Sequence, residues 1–320
     1  ELQNLIEKHY MGDVKEKNLE DGVYKGYING LNDPYSVYYN KKETKELYES
    51  TGGEYSGIGA VMSQNTETGV ITLVQIYKDS PAEKAGLKAN DILYKVEGKE
   101  VTGKDLSKVV SKVKGEKGTT VELTVLRGED AKEVTVTATR DTVQAQTIEY
   151  KMMDDKIGYI RVSEFDTVTY DQYKEALDDL EKQGMTGLVV DLRNNPGGSL
   201  STVCDMLDLM LPKGLIVYTE DKNGKKTEMK SDEEHQFTKP LAVLVNGNSA
   251  SASEIYSGAI QDYGIGKIVG TQTYGKGVVQ QIFDLDDGTA VKLTIAEYFT
   301  PKGRDRKSVV EGKSVDTGVD

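Results

Sequence analysis

The stretch Leu188-Val189-Val190-Asp191-Leu192-Arg193-Asn194-Asn195-Pro196-Gly197-Gly198 decides the fold. Its first five residues form an apolar run that predicts a buried strand, and the polar residues and paired glycines after it predict a turn. A second apolar run, Leu241–Val245, predicts another buried strand, and residues 200–211 between the two runs have a helical pattern. Strands that alternate with helices predict an α/β core with crossover connections.

The same alternation extends through residues 144–304, which we expect to form one domain. The predicted strands of this part are residues 157–162, 188–192, 241–245, 267–269, 278–283 and 290–298. The predicted helices are residues 170–183, 200–211 and 253–263.

Residues 53–143 have a different texture, with short strands separated by glycine turns. Ser80-Pro81-Ala82-Glu83-Lys84-Ala85-Gly86-Leu87 predicts a short helix with a serine cap, a proline at its first position and a glycine at its end. This segment resembles a PDZ domain through residues 80–93, and the order of strands and helices around that motif fits the whole segment. A second predicted helix has an apolar face that consists of Leu106, Val109, Val110 and Val113.

Residues 1–52 are predicted to be a helical N-terminal arm, with a break at Asn32-Asp33-Pro34. Tyr35, Tyr38 and Tyr39 follow the break. We expect these tyrosines to pack the arm against another domain; a binding surface is the alternative.

The composition excludes several classes of protein. The 320 residues carry a net charge of −13, which argues against a nucleic-acid partner. No apolar run approaches the roughly 18 residues that a membrane span requires. Two histidines and the single Cys204 argue against a zinc site of ordinary composition, so we expect neither a metal nor a cofactor. Because Glu1 is not an initiator methionine, we expect a fragment that lacks a targeting or anchoring segment.

Ser251 and Lys276 are the candidate nucleophile and base. A serine hydroxyl is a poor nucleophile until a neighbouring group takes its proton, and a lysine can take it if burial lowers the lysine pKa. Ser251 is predicted near a helix N-terminus, where free amides favour a developing negative charge. The alternatives are that Ser249, Ser251 and Ser253 cap the helix, and that Lys276 is a solvated turn residue.

Other polar groups are weaker candidates. Residues 270–277 nearly match a phosphate-binding loop, but Gly277 replaces the hydroxyl residue, and a strand rather than a helix is predicted to follow. The Gly197-Gly198 turn can present backbone amides to an anion. His235 lies in a polar stretch and is expected to be solvent-exposed, whereas His9 in the first helix is expected to be structural.

Three motifs together resemble the carboxyl-terminal processing proteases, which are serine peptidases with an inserted PDZ domain. The motifs are Asp-Leu-Arg-Asn-Asn-Pro-Gly-Gly (191–198), Ser-Ala-Ser-Ala-Ser-Glu (249–254) and Tyr-Gly-Lys-Gly-Val-Val-Gln (274–280). The resemblance implies a crotonase- or ClpP-like α/β peptidase core over residues 144–304. It also implies a nucleophile, a general base and a residue that orients the base, which are Ser251, Lys276 and Gln280. The implied oxyanion hole uses backbone amides of Ala252, Gly197 and Gly198.

The resemblance further implies that the PDZ domain selects protein or peptide substrates with apolar C-termini and either delivers them or gates the site. PDZ domains bind a peptide as an added strand and hold its carboxylate with a backbone loop. The loop would be Ser56-Gly57-Ile58-Gly59, and the groove would be lined by Leu106, Val109, Val110 and Val113, unless these four are simply core. A dead enzyme that acts as a PDZ adaptor is the competing function.

The family also implies a bacterial cell-envelope protein, secreted or anchored by a segment absent here, that can form a homodimer. After Arg304 the family pattern is lost. We therefore expect residues 305–320 to be a non-native or disordered tail.

Overall fold

The computed structural model describes residues 1–232 and 234–303. The helices are α1 (Leu2–His9), α2 (Glu16–Asn29), α3 (Lys41–Gly52), α4 (Pro81–Lys84), α5 (Leu106–Val113), α6 (Thr169–Lys182), α7 (Leu200–Asp208) and α8 (Ala252–Tyr263). Strands β1 to β9 are Val37–Tyr39, Glu54–Gly57, Ala60–Gln64, Ile71–Ile76, Ile92–Val96, Lys99–Glu100, Thr120–Arg127, Lys132–Thr139 and Asp141–Gln144. Strands β10 to β18 are Ile148–Met152, Ile157–Val162, Gly187–Asp191, Gly214–Asp221, Lys226–Ser231, Leu241–Val245, Lys267–Gly270, Val278–Asp284 and Ala290–Phe299.

A five-stranded sheet of order β10-β11-β12-β15-β16 forms the centre of the C-terminal part. Strands β11, β12, β15 and β16 are parallel, and β10 is an antiparallel edge strand. Val190 pairs with Val243 and both side chains are completely buried, as expected for parallel strands covered by helices. The sheet shares one apolar core with α6, α7 and α8. The predicted α/β core is therefore confirmed.

A second sheet lies beside this core, with the order β1-β18-β13-β14 and with β17 paired to β18. Strand β1 belongs to the N-terminal arm, and its Val37 is the register partner of Lys292. The arm therefore contributes a strand to the C-terminal part of the molecule. Strands β13 and β14 were not predicted, although the apolar run of residues 215–218 in β13 is itself a strand signal.

The expected PDZ domain is present as a sheet of order β3-β4-β5-β7-β8, with β6 beside β5. Helix α4 begins as predicted: the Ser80 hydroxyl accepts the amide of Glu83 at 3.2 Å, and Pro81 is the first helical residue. Helix α5 has the predicted bounds. A two-stranded ribbon of β2 and β9 connects this domain to the rest of the chain.

The N-terminal arm contains α1 and α2, and these helices have no buried residues. Tyr38 is buried and is the register partner of Val291 on β18, so the prediction that the arm packs on another part of the protein is confirmed. Within the described ranges, no helix combines the length and apolarity that crossing a membrane requires. The prediction for residues 305–320 lies outside the described residues.

Candidate active site

Three neighbouring parallel strands bring the candidate residues to one edge of the core sheet. Strand β12 leads into the Gly197-Gly198 turn, β15 leads into Ser251, and β16 leads into the segment that carries Lys276. Because parallel strands end on the same side, their following loops meet there. The topology therefore assembles residues that are far apart in sequence.

Ser251 is the residue that immediately precedes α8, and its backbone is in an unusual conformation. Its φ of 53° and ψ of −114° lie in a region that residues with a side chain rarely adopt. Such conformations are found mainly at functional sites, where the surrounding structure holds them in place. Ser251 thus lies in the turn between β15 and α8, where it is half-buried.

The other two serines of the run have structural roles. Ser249 and Ser253 are completely buried. The Ser249 hydroxyl donates to the carbonyl of Leu192 at 2.8 Å, and that of Ser253 donates to the carbonyl of Asn195 at 3.0 Å. Both bonds join the Ser251 turn to the loop after β12. Ser251 is therefore the serine of this run that is placed to react.

Glu254 connects the Ser251 turn to the Lys276 segment. Its side chain is completely buried, and its Oε2 accepts the backbone amides of Ser251 at 2.8 Å and Lys276 at 2.9 Å. Its Oε1 accepts the Thr273 hydroxyl at 2.7 Å and the Gly275 amide at 2.6 Å. This role was not predicted, although an acidic residue at the third position of a helix is a signal for the bond to the Ser251 amide.

Lys276 is half-buried, and its pKa is lowered. Burial is the main cause and the charge of Lys292 adds to it, whereas Glu254 and Asp33 act in the opposite direction. Tyr298 fixes the backbone here by donating its hydroxyl to the carbonyl of Lys276 at 2.6 Å. Lys276 is therefore not a fully solvated turn residue.

The structure brings the backbones of Ser251 and Lys276 together but not their reactive atoms. Among the described residues, no hydrogen bond joins Ser251 Oγ to Lys276 Nζ, which instead lies 4.7 Å from the centroid of the Tyr35 ring. Gln280 Nε2 donates to Thr294 Oγ1 at a long 3.5 Å and not to Lys276. Lys276 also precedes β17, so alternation along that strand does not place it on the face of Gln280.

Gly197 and Gly198 lie so close to neighbouring backbone atoms that a side chain would clash at either position. A Cβ on Gly197 would lie 2.7 Å from both the Ala250 carbonyl oxygen and Ser251 Cβ, and φ is 106°. A Cβ on Gly198 would lie 2.3 Å from the carbonyl oxygen of Phe165. The turn therefore touches the Ser251 segment directly.

The amide of Gly197 is already occupied, because it donates to Asn195 Oδ1 at 2.8 Å. In this conformation the Gly197 amide is therefore not available to an oxyanion, and its role in an oxyanion hole stays a prediction. The described residues provide no backbone acceptor for the amides of Ala252 and Gly198. These two amides remain as donors beside Ser251.

The predicted peptide groove is smaller than expected. Val109 and Val113 are 2% and 3% exposed and belong to the PDZ core, so assigning them to a groove is wrong, whereas Leu106 and Val110 are half-buried on the same helix. Helix α5 contacts β3, the strand that follows Gly59.

The predicted carboxylate loop also divides into two parts. Ser56 and Gly57 belong to β2, and the Ser56 hydroxyl is buried without a hydrogen-bond partner among the described residues. Ile58 is a core residue, and its carbonyl accepts the amide of Ala82 at 2.7 Å. Gly59, with φ of 76°, packs directly on Ser80.

Both histidines are exposed. His235 is exposed, as predicted. His9 is exposed in the last turn of α1, so the expectation that it has a structural role is wrong.

Comparisons with known proteins agree with the fold and with the motifs. Residues 156–313 match the peptidase family S41, residues 72–127 match a PDZ domain, and residues 1–44 match the N-terminal domain of the activating protease CtpB. The chain thus has the parts of a PDZ-containing peptidase of family S41.

Two curated relatives come from Bacillus subtilis (strain 168). Carboxy-terminal processing protease CtpA is 38% identical over 93% of this chain and 64% of its own length, and CtpB is 37% identical over 93% and 63%. The solved photosystem II D1 C-terminal processing protease is 28% identical, with a TM-score of 0.55 over 98% of this chain and 86% of that structure. The chain belongs to the carboxy-terminal processing protease family. It spans somewhat less than two thirds of the length of these curated relatives.

Proposed function

We propose that this protein is a serine endopeptidase that cleaves proteins near their C-termini, with Ser251 as nucleophile and Lys276 as general base. In its neutral form Lys276 takes the hydroxyl proton as Ser251 Oγ attacks the scissile carbonyl carbon. It then gives that proton to the leaving amine. Water, deprotonated by the same lysine, hydrolyses the acyl-enzyme and restores the serine.

The observation that carries this proposal is the single Glu254 oxygen bonded to the amides of both Ser251 and Lys276. A charge-assisted bond to a buried carboxylate fixes each backbone firmly. The backbones that carry the two reactive side chains are therefore anchored, and rotation of the lysine side chain would bring Nζ to the hydroxyl. Gln280 would then orient the lysine as a neutral partner that does not raise its pKa.

The amides of Ala252 and Gly198 are the proposed oxyanion donors. Ala252 directly follows Ser251, Gly198 directly follows Gly197, which packs on Ser251, and neither amide has a backbone acceptor in the described structure. Preorganised donors of this kind stabilise the negative charge of a tetrahedral intermediate. The Gly197 amide would join them only if Asn195 released it.

The presence of a PDZ domain is an argument for the binding of peptide substrates. We propose that this domain selects polypeptides with an apolar C-terminus. A bound peptide would extend along β3 and pack on Leu106 and Val110. The buried Ser56 hydroxyl lies next to the glycine loop and could bond the terminal carboxylate. The ribbon of β2 and β9 connects the PDZ domain to the rest of the chain. With this connection, the PDZ domain would be able either to deliver substrate to the active site or to gate it.

The domain boundaries that fit this proposal are 1–52, 53–143 and 144–304. We further propose a homodimer, supported by the exposed apolar residues of α1 and α2, such as Leu5 and Val23. The relatives are bacterial, and we propose that the full-length protein acts in the cell envelope, secreted or held by a membrane anchor.

A peptide library with varied C-terminal residues, analysed by mass spectrometry, tests the function. Cleavage near apolar C-termini is expected, with none by Ser251→Ala. Ser253→Ala is the matched control: it removes a hydroxyl that bonds only a carbonyl, and it should keep turnover while losing about 1 kcal/mol of stability. Peptide binding without cleavage by the unmodified protein would favour an adaptor instead.

A further inference from the structure

The ammonium group of Lys276 contacts an aromatic residue of the N-terminal arm. Its Nζ lies 4.7 Å from the centroid of the Tyr35 ring, within the range of a cation–π interaction. No step of the proposed reaction uses Tyr35. The contact involves the charged form of the lysine, whereas the reaction requires the neutral form.

The position of Tyr35 is built into the fold. The amide of Tyr35 donates to Asp33 Oδ1 at 3.1 Å, and the Ser36 hydroxyl donates to Asp33 Oδ2 at 2.5 Å. The Ser36 hydroxyl also accepts the amide of Thr294 at 3.1 Å. Thr294 is on β18 and is the register partner of Gln280. Its hydrogen bond to Ser36 therefore attaches the segment that carries Tyr35 next to the candidate site.

Charged groups of both signs surround Lys276. Lys292, on the same strand as Thr294, disfavours the ammonium, and its own Nζ lies 5.6 Å from the Tyr39 ring. Asp33 and Glu254 favour the ammonium. Tyr35 adds a further attraction for the charged form, one that disappears when the lysine loses its proton to solvent.

We propose that Tyr35 is a positioning residue of the peptidase site, whose ring holds the charged form of Lys276 away from Ser251 and releases the side chain once it is neutral. The proposal rests on the proposed function for its catalytic meaning. It also gives the N-terminal arm a direct effect on the general base, since displacement of the arm would remove the ring.

Titration of Lys276 tests the proposal without requiring activity. The protein is labelled with ¹³Cε-lysine in the Ser251→Ala background, and the Lys276 signal is assigned by its loss in Lys276→Arg. Tyr35→Leu retains apolar bulk but removes the ring, and should lower the Lys276 pKa by about 0.5–1 unit. Tyr35→Phe retains the ring and should leave the pKa unchanged.

Tyr39→Leu is the matched control, since it removes the neighbouring ring of the same arm, the one next to Lys292. It should leave the Lys276 pKa close to that of the parent. An unchanged or raised pKa in Tyr35→Leu overturns the proposal, as does an equal shift in Tyr35→Phe or Tyr39→Leu, which would indicate a general disturbance of the arm.

Cleavage kinetics provide the second readout. The acid limb of the pH profile of kcat/KM should move to lower pH in Tyr35→Leu by the same amount, and KM at high pH should not change. If the protein cleaves no peptide, the proposed function fails, but the titration still decides whether Tyr35 stabilises the charged lysine.

Discussion

Glu254 accepts the backbone amide of Lys276 at 2.9 Å, although 22 residues separate the two along the chain. The same carboxylate oxygen accepts the amide of Ser251. One buried atom thus holds together the backbones of the loops after β15 and β16, which carry the proposed nucleophile and base.

Glu254→Gln should therefore impair catalysis without a change in any group that reacts. An amide offers one acceptor oxygen where the carboxylate offers two, so at least one pair of donors is left unpaired, at a cost of about 1–3 kcal/mol for each buried group. We expect kcat to fall at least about tenfold and the melting temperature to drop. Glu129→Gln, at an exposed turn of the PDZ domain, is the control. Unchanged kcat and stability in Glu254→Gln would contradict this role.

Gly197→Ala should abolish activity through a clash. The added Cβ would lie 2.7 Å from Ser251 Cβ and from the Ala250 carbonyl oxygen, so the Ser251 turn must move. Gly128→Ala is the matched control, since Gly128 also has a positive φ but open space around it, and it should cost only about 1 kcal/mol. Turnover assays and thermal unfolding of both variants measure the difference. Full turnover in Gly197→Ala would show that the turn is not part of the site.

Asp166 should make stability depend on pH near neutrality. It lies in the loop after β11 and is 5% exposed, and burial, with the charge of Glu164, raises its pKa to about 7. Between about pH 4 and pH 7 the folded protein holds a proton that the unfolded chain releases, so stability falls as the pH rises through this window.

Asp166→Asn removes that titration and should be more stable than the parent at pH 8, by up to about 4 kcal/mol, with a smaller difference at pH 5. Thermal melts at the two pH values provide the measurement. Asp171→Asn, at an exposed position of α6, should follow the parent at both. A parent protein with equal stability at pH 5 and pH 8 would show that Asp166 titrates normally.

Val110→Asp should weaken peptide recognition and leave the fold intact. Val110 is half-buried on α5, where an apolar peptide side chain would pack, and a carboxylate there opposes both the apolar contact and the peptide carboxylate. KM for a peptide with an apolar C-terminus should rise about tenfold or more. Ser107→Asp introduces the same charge at an exposed position of the same helix and should leave KM unchanged. Equal KM values would place the groove elsewhere.

The local sequence pattern was sufficient to predict the elements whose apolar residues follow a single clear period. The apolar run at Leu241–Val245 and the helical spacing of α5 predicted their bounds directly, because each element buries one continuous surface. Strands β13 and β14 were missed, although β13 contains the buried core residues Ile216 and Val217. The pairing of β13 with β18 joins residues about eighty positions apart, which no local pattern encodes.

The candidate site likewise contains residues that were predicted from the sequence and residues that were not. Ser251, Lys276 and Gln280 stand in motifs that a sequence displays, so they were predicted. Tyr35 acts through a contact made only after the arm has come together with the C-terminal part, and no local spacing encodes it. For Glu254, the third helix position indicates the bond to the Ser251 amide but not the bonds to Thr273, Gly275 and Lys276. Similarly, the hydrogen bond that occupies the Gly197 amide depends on the side-chain conformation of Asn195.

The most direct test of the Ser251–Lys276 pair is a double-mutant comparison of single-turnover cleavage rates for Ser251→Ala, Lys276→Ala and the combined variant, with circular dichroism to verify folding. If the two residues act as one unit, each single substitution abolishes cleavage above background and the combination costs nothing more. Retained turnover in either single variant, or losses that add independently in the double variant, would contradict the account.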